Sequence, residues 1–304
     1  MAEIIACLKQ GKVELLRGHG PEPLVSPYQE QQIARAQGEL SARIVGLTRG
    51  RTSGELCYAI SSENATGVFA QTPGSHAERR LFQATAAQLS ELDVSFGDEA
   101  LACTVKGDRG TSAIGLLADD GKGVRTVTEG DVVDCMPRWA PGGRGEIVYA
   151  SAGVGRTKSG IWVGLSPFSL HRLRFSDNSV EVLISDAKYD YLAPVPVTES
   201  MFYAIRRAYR SPRAPSPFTL ILAAFRGSSG EAARAAARVP EGSELVRISP
   251  SGVDVVMEDV FSFDVATNED IVYSSSVGVF RLAKQAGKTD EVAPLARVER
   301  LVIC

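Results

Sequence analysis

Acidic residues recur close to the starts of the predicted first strands of a repeated β-sheet unit. Carboxylates arranged around one opening could bind a hard metal ion through their oxygens, and they could equally hold a basic peptide. A bound metal would indicate a metal-dependent hydrolase, such as a lactonase or a glycan-processing enzyme. The same carboxylates could instead cap strand starts and stay in solvent. The residues concerned are Glu91, Asp134, Asp190 and Glu299, with Asp131 and Asp259 just before such starts.

Other kinds of catalytic site find little support in the sequence. The three histidines are His19, His76 and His171, and no two of them have the i, i+4 spacing of metal ligands on a helix. His171 falls within a strand pattern, where a packing or edge role is expected. The sequence lacks a Gly-x-Ser-x-Gly motif, which would place a nucleophilic serine on a sharp turn. We therefore expect no cofactor, and the sequence favours a protein that is not an enzyme.

The composition is that of an ordinary globular protein. Of 304 residues, 44% are hydrophobic and 23% are charged, and a net charge of -3 gives no reason to expect nucleic acid as a partner. No apolar stretch approaches the ~18 to 20 residues that span a bilayer, and the N-terminus lacks the pattern of a signal peptide. The five cysteines include Cys7, Cys57 and Cys103 in apolar strands and show no Cys-x-x-Cys spacing. Buried free thiols favour a reducing compartment, so we expect a cytoplasmic protein.

A short module recurs along the chain and must position any functional site. Each copy has an apolar strand followed, about ten residues later, by a second strand that usually ends in Tyr or Cys. Repeats at roughly 40 to 50 residues are typical of propellers and solenoids, because one unit cannot bury its own apolar face. The second strands lie at residues 56–59, 101–104, 147–150, 201–204 and 271–274, with a looser copy at 4–7.

Clusters of Gly and Asp, which favour turns, divide the central copies into four strands each. One unit has predicted strands at 90–96, 99–106, 112–118 and 123–128. The other units are predicted from 132 to about 184 with a longer loop at 152–166, from 42 to 84, from 189 onward, and from 260 to about 295.

The two ends of the chain complement each other. Residues 297–304 look like a first strand with nothing after it, and residues 3–17 look like second and third strands with nothing before them. Pairing these strands would complete a sixth blade and close the ring, which removes exposed sheet edges. The sequence therefore predicts one all-β domain over residues 1–304, a six-bladed propeller of four-stranded antiparallel blades, with seven blades as the alternative.

One copy carries a specific resemblance to a known family. Residues 134–143 read Asp-Cys-Met-Pro-Arg-Trp-Ala-Pro-Gly-Gly, and the apolar strand 146–149 follows. This segment resembles the WD40-like repeat of TolB-type β-propellers, Pro-x-Trp-Ser-Pro-Asp-Gly, with Ala140 for the Ser and Gly142 for the Asp. The resemblance implies the fold, whereas propellers host unrelated activities.

The resemblance also suggests the kind of function. The overall pattern is similar to cytoplasmic, bacterial-type propellers thought to work with AAA-type ATPases and von Willebrand A-domain proteins. It implies a non-catalytic, protein-binding scaffold in a multiprotein assembly. The metal-dependent hydrolase remains the alternative.

Two insertions interrupt the repeat. Residues 19–41 form a rim insertion, in which Ser26 and Pro27 predict the start of a short helix that continues to Ala36. Residues 209–242 form a long insertion within one unit, and its apolar run at 218–225 could dock on a partner protein or, as the weaker alternative, touch a membrane surface. The residues predicted to bind a protein partner are Phe218, Leu220, Leu222 and Phe225, with Arg156 and Lys158 in the loop at 153–160.

Overall fold

The computed structural model describes residues 3–17, 20–36, 42–50, 52, 54–62, 65–75, 77–85, 87–95, 100–117, 123–141, 145–210, 242–285 and 287–304. Within them the chain is nearly all β, with four-stranded antiparallel sheets and one α-helix. The insertion predicted at 209–242 lies almost wholly outside the described residues, as do Phe218, Leu220, Leu222 and Phe225.

The described strands form four four-stranded sheets and one nine-stranded sheet, and we divide them into six units of four strands plus one extra strand, numbered 1 to 6 in chain order, with units 3 and 4 sharing the nine-stranded sheet. Unit 1 contains β1 (Ile5–Lys9), β2 (Lys12–Leu16) and β3 (Pro21–Pro23), completed by the C-terminal strand β25. Unit 2 contains β4 (Ala42–Arg49), β5 (Leu56–Ser62), β6 (Ala65–Gln71) and β7 (Glu78–Ala84). Unit 3 contains β8 (Leu89–Val94), β9 (Leu101–Lys106), β10 (Ser112–Leu117) and β11 (Val124–Thr126).

The second half of the chain supplies the remaining units. Unit 4 contains β12 (Val132–Trp139), β13 (Glu146–Arg156), β15 (Ser169–Arg174) and β16 (Ser179–Ile184), with the extra strand β14 (Trp162–Leu165). Unit 5 contains β17 (Tyr189–Pro196), β18 (Phe202–Ala208), β19 (Glu244–Ser249) and β20 (Gly252–Glu258). Unit 6 contains β21 (Ser262–Val265), β22 (Ile271–Ser274), β23 (Val279–Leu282) and β24 (Thr289–Ala293), and β25 covers Arg300–Ile303.

The two ends of the chain share unit 1, as the sequence predicts. β25 pairs antiparallel with β1, with Ile303 opposite Ile5 and Arg300 opposite Leu8, and the sheet order is β25, β1, β2, β3. The short β3 is the fourth strand of this sheet. Part of the segment predicted as a rim insertion at 19–41 therefore belongs to the regular unit.

The segment 152–166 is not the loop that the sequence suggests. β13 continues to Arg156 and pairs with β14, so that a hairpin projects beyond unit 4. The reversal from Thr157 to Gly160 is a tight turn, in which the Gly160 N–H donates to the Thr157 carbonyl at 2.9 Å. Gly160 has φ +80°, a value that a residue without Cβ adopts without strain.

The first strand of each unit contacts the first strand of the next. β4 contacts β8, β8 contacts β12, β12 contacts β17, β17 contacts β21, β21 contacts β25, and β25 contacts β4. Three of these strands carry a β-bulge at a residue with positive φ: Glu91 at 52°, Met136 at 55° and Ala193 at 48°. A bulge adds one residue to a strand and turns the side chains that follow it onto the other face.

Apolar packing between units explains why the second strands are so uniformly hydrophobic. In β5 every residue from Leu56 to Ile60 is buried, because both faces of that strand meet a neighbouring sheet. Cys7 and Cys103 occupy equally buried positions, and burial raises the pKa of each thiol to about 12, so both stay protonated.

The helix α1 (Pro27–Ala36) begins where the sequence predicts. The Ser26 hydroxyl accepts a hydrogen bond from the Gln29 N–H at 3.1 Å, which caps the first turn. The Tyr28 ring lies 4.6 Å from that of Phe69, and the Gln29 amide donates to the carbonyls of Gly11 and Ala42. α1 is ten residues long, and the described part of the chain holds no helix that is long and apolar enough to cross a membrane.

Close packing between the first strands of units 2 and 3 makes Gly46 a sensitive position. A Cβ on Gly46 would lie 2.9 Å from the Glu91 backbone nitrogen, closer than side-chain carbons approach backbone. We expect Gly46→Ala to lower the free energy of unfolding by about 1–3 kcal/mol, measured by urea denaturation. Gly123→Ala is the matched control, because a Cβ there would meet no atom within 4 Å. Equal effects of the two substitutions would contradict this packing.

Candidate functional site

Charged and polar side chains are buried or half-buried where the first strands meet. We call Thr48, Glu91, Asp93, Arg138, Asp264 and Arg300 the central cluster. Asp93 is 9% exposed, Arg138 7% and Asp264 1%, although charged residues are rarely buried without partners. The hydrogen bonds and ion pairs of these side chains therefore determine whether the cluster is free to bind a ligand.

Asp93 is held by donors from two neighbouring units. Its Oδ1 accepts from Arg138 Nη1 at 2.8 Å and from Thr48 Oγ1 at 3.2 Å. Its Oδ2 accepts from the Trp139 backbone N–H at 2.8 Å. One carboxylate from unit 3 thus joins unit 2 to unit 4.

The other end of the Arg138 guanidinium faces unit 6. Nη2 lies 3.8 Å from Asp264 Oδ1, and neither atom has a hydrogen-bond partner among the described residues. Asp264 Oδ2 accepts from the Ile303 N–H at 3.0 Å. Arg138 therefore lies between a carboxylate of the adjoining unit 3 and a carboxylate of unit 6, which is not next to unit 4 along the chain.

Arg300 adds a second guanidinium to the cluster. Its Nε donates to the Leu47 carbonyl at 3.5 Å. Burial and, next, the charge of Arg138 lower the pKa of Arg300 to about 9, while Asp264, Asp93 and Glu91 act in the opposite direction. Arg300 remains charged at neutral pH and needs the surrounding carboxylates.

Glu91 completes a recurring pattern of bonds between first strands. Its Oε2 accepts from Thr104 Oγ1 at 2.7 Å and from the Met136 N–H at 2.8 Å. Asp93 bonds to the Trp139 N–H and Asp264 to the Ile303 N–H in the same way, from the first strand of one unit to that of the next. Because of the bulge, Met136 does not take part in the pairing of β12 with β13, and its N–H is available to Glu91.

The other carboxylates predicted for a metal site lie elsewhere. Asp190 accepts from the Phe168 N–H at 2.8 Å and from Arg207 Nε at 2.7 Å, between units 4 and 5. Glu299 is exposed and accepts from the Gln10 N–H at 3.2 Å. Asp134 is buried on the face that carries His171, and burial raises its pKa. The structure does not bring these residues together with Glu91.

The described residues contain no group of three or more His, Cys, Asp or Glu side chains able to hold a metal ion. The two acidic residues that precede strand starts also have local partners. Asp131 pairs with Arg156, and Asp259 accepts from the Ser276 hydroxyl.

The basic residues of the 153–160 segment differ in availability. Arg156 Nε lies 3.0 and 2.9 Å from the two Asp131 oxygens, and its Nη2 donates to the Arg109 carbonyl. Hydrogen bonding by Arg156 lowers the pKa of Asp131. Lys158 is exposed at the tip of the β13–β14 hairpin. Of the two, Lys158 presents its charge more directly to a partner.

His171 has a polar contact that the strand pattern does not predict. Its Nε2 lies 2.8 Å from Ser169 Oγ, and its ring lies 5.6 Å from the Tyr149 ring. Burial lowers the pKa of His171, while Asp134 opposes that shift. The imidazole is therefore neutral at neutral pH, hydrogen-bonded within β15 and in ring contact with Tyr149 of β13.

Sequence reasoning missed most of the central cluster. Asp93 and Asp264 each stand between apolar residues of a predicted strand, and Arg138 lies inside the segment at 134–143 that resembles a known repeat. A charged residue flanked by buried apolar ones was the available signal. It indicates a paired charge, but it does not name the partner.

Comparison with solved structures identifies the architecture. A structure of a nidogen/laminin complex matches with a TM-score of 0.60 at 11% identity, covering 99% of this chain and 98% of that one. TolB from Acinetobacter baumannii matches with a TM-score of 0.62 at 10% identity, covering 99% of this chain and 66% of TolB. The chain has a β-propeller fold.

Enzymes also share this propeller fold. The GH74 enzyme of Niastella koreensis matches with a TM-score of 0.56 at 11% identity, covering 95% of this chain and 43% of the enzyme. No protein family and no curated protein matches the sequence. Identities this low show the fold alone.

The Asp93–Arg138 pair predicts a large cost for losing its carboxylate. Asp93→Asn removes the negative charge 2.8 Å from the buried guanidinium and leaves the more distant carboxylate of Asp264, so we expect the free energy of unfolding to fall by about 3 kcal/mol. Urea denaturation measures the change. Asp254→Asn breaks an exposed ion pair with Arg247 and should leave the midpoint nearly unchanged. Equal midpoint shifts would contradict the special role of Asp93.

Proposed function

We propose that the protein is a non-catalytic, protein-binding scaffold built on a six-bladed β-propeller. The observation that carries the proposal is the state of the acidic groups in the central cluster. Glu91, Asp93 and Asp264 each accept a backbone N–H from the next first strand. Acid–base catalysis or metal binding needs carboxylates that can turn to a substrate or ion, and these are committed to the architecture.

The contacts between first strands support six blades. Six described units of four strands, with β25 contacting both β21 and β4, are consistent with a ring in which unit 1 closes the circle. In this arrangement the central cluster occupies the axial channel. Arg138, whose Nη2 lies 3.8 Å from Asp264 Oδ1, would then lie in that channel and leave less room for a substrate.

The structural neighbours support a binding role more than a catalytic one. The chain covers nearly all of its match in a structure described as a complex of nidogen with laminin, and less than half of the matched glycoside hydrolase. A propeller can therefore make up nearly the whole of a chain that binds another protein. The metal-dependent hydrolase remains the alternative, and a metal assay on the purified protein tests it.

The proposed partner surface is the insertion at 209–242, together with Lys158 and Arg156. Phe218, Leu220, Leu222 and Phe225 are outside the described residues, and their apolar side chains are of the kind that carries interface energy. We further propose that the partners are AAA-type ATPases or von Willebrand A-domain proteins. The assembly would be cytoplasmic and of a bacterial type.

Deleting residues 212–239 tests this surface. We expect affinity purification from the native host, read by mass spectrometry, to recover partners with the full chain and to lose them with the deletion. Leu220→Ser with Leu222→Ser should reduce recovery at least tenfold, because apolar anchors dominate interfaces.

Val180→Ser with Val182→Ser is the matched control, because both valines are exposed on β16. If the deletion variant keeps its thermal unfolding midpoint and still recovers the same partner proteins, the insertion is not the partner surface. Stoichiometric metal without partners would favour the hydrolase.

A further inference from the structure

A cavity of about 460 Å³ opens beside the central cluster, next to the last residues of β4 and β25. Its volume falls within the range of small-molecule sites. The wall combines apolar side chains, Ala266 and Ile303, with the backbone of Gly50 and Gly54 and the acidic side chain of Glu55. Asp264, which takes the Ile303 N–H, links this wall to the central cluster.

One carboxylate oxygen of Glu55 has no hydrogen-bond partner among the residues that the structure describes. Its side chain is 10% exposed, and Oε1 accepts from Arg79 Nη2 at 2.9 Å. Oε2 is buried and has no hydrogen-bond partner among the described residues. A buried carboxylate oxygen without a donor is costly, so a donor arriving through the cavity would be stabilising.

The loop between β4 and β5 is built around this carboxylate. A Cβ on Gly50 would lie 2.6 Å from Glu55 Oε2, so only glycine leaves room for the side chain. The Gly50 N–H donates to the Glu55 carbonyl at 2.6 Å, which fixes the backbone of Glu55 against the cavity wall. The terminal torsion of a glutamate is soft, so the Glu55 carboxylate can reorient without moving the backbone.

The described cation that pairs with Glu55 is largely exposed. The Arg79 side chain is 59% exposed, so solvent screens its charge. Glu3, also in the cavity wall, pairs with Arg281, and Arg49 adds one positive charge to the lining. A carboxylate bonds most strongly to a charged donor, and the apolar wall beside it suits a short hydrocarbon stem.

We propose that this cavity binds a guanidinium or ammonium group on a short apolar stem, with Glu55 Oε2 as the acceptor. Such a group can belong to a free amine or to an arginine or lysine side chain of a peptide. The proposal is separate from that of the partner surface at 209–242, because it is argued from residues of units 1, 2 and 6.

Calorimetric titration of the full-length protein at low salt tests the site. The probes are N-acetyl-arginine amide and N-acetyl-lysine amide, with N-acetyl-citrulline amide as the neutral match for arginine. We expect the cationic probes to bind at least tenfold more tightly than citrulline, and Glu55→Gln to remove that preference. Equal binding of arginine and citrulline probes to the unmodified protein would overturn the proposal.

Two variants separate ligand contact from general effects. Arg79→Gln breaks the same ion pair but leaves the carboxylate, so it should bind the arginine probe at least as tightly as the unmodified protein. Glu181→Gln removes a distant exposed charge and should change nothing. If Arg79→Gln and Glu55→Gln lose binding equally, Glu55 acts only through the ion pair and the proposal fails.

A blocked peptide, Ala-Ala-Arg-Ala-Ala, distinguishes the two sources of the cation. Binding at least tenfold tighter than the single amino-acid amide assigns the site to a peptide-borne side chain. Equal affinities assign it to a free ligand. Glu55→Gln must weaken whichever probe binds, and failure to do so overturns the proposal.

Discussion

The buried guanidinium of Arg138 imposes the strongest constraint on this molecule. An uncompensated charge in a protein interior costs several kcal/mol, so Arg138 can be buried only if carboxylates surround it. Those carboxylates, Asp93 and Asp264, come from units 3 and 6. The positions of three units around the centre are therefore tied to the position of one side chain.

Glu91, Asp93 and Asp264 also link the first strands of neighbouring units by hydrogen bonds. Each binds a backbone N–H that the adjoining sheet does not use, and hydrogen bonds to charged acceptors are among the stronger ones in proteins. The acidity of the centre is therefore a structural feature. Of the carboxylates predicted from the sequence to line one opening, only Glu91 belongs to this centre. The structural role of the central carboxylates directs attention to surfaces and to the cavity beside Glu55.

Much of the architecture could be predicted from local patterns, because turn residues and apolar strands recur at each unit. The unit boundaries, the cap at Ser26 and the pairing of the chain ends follow from such patterns. The candidate site could not be predicted, because a bulge interrupts the regular alternation of side chains between the two faces of a strand. Asp134 and Arg138 are four residues apart and would share a face in a regular strand, yet the bulge at Met136 puts them on opposite faces. Sequence spacing alone does not reveal that extra residue.

The bonds from carboxylate to backbone between first strands are the central claim, and amide hydrogen exchange followed by NMR tests it most directly. If Glu91, Asp93 and Asp264 hold the Met136, Trp139 and Ile303 N–H groups, these amides should exchange only through global unfolding, with protection equal to that of the core strand β5. Exchange of these three amides as fast as that of Lys158, at the tip of the exposed hairpin, would show that the first strands are not fastened in this way.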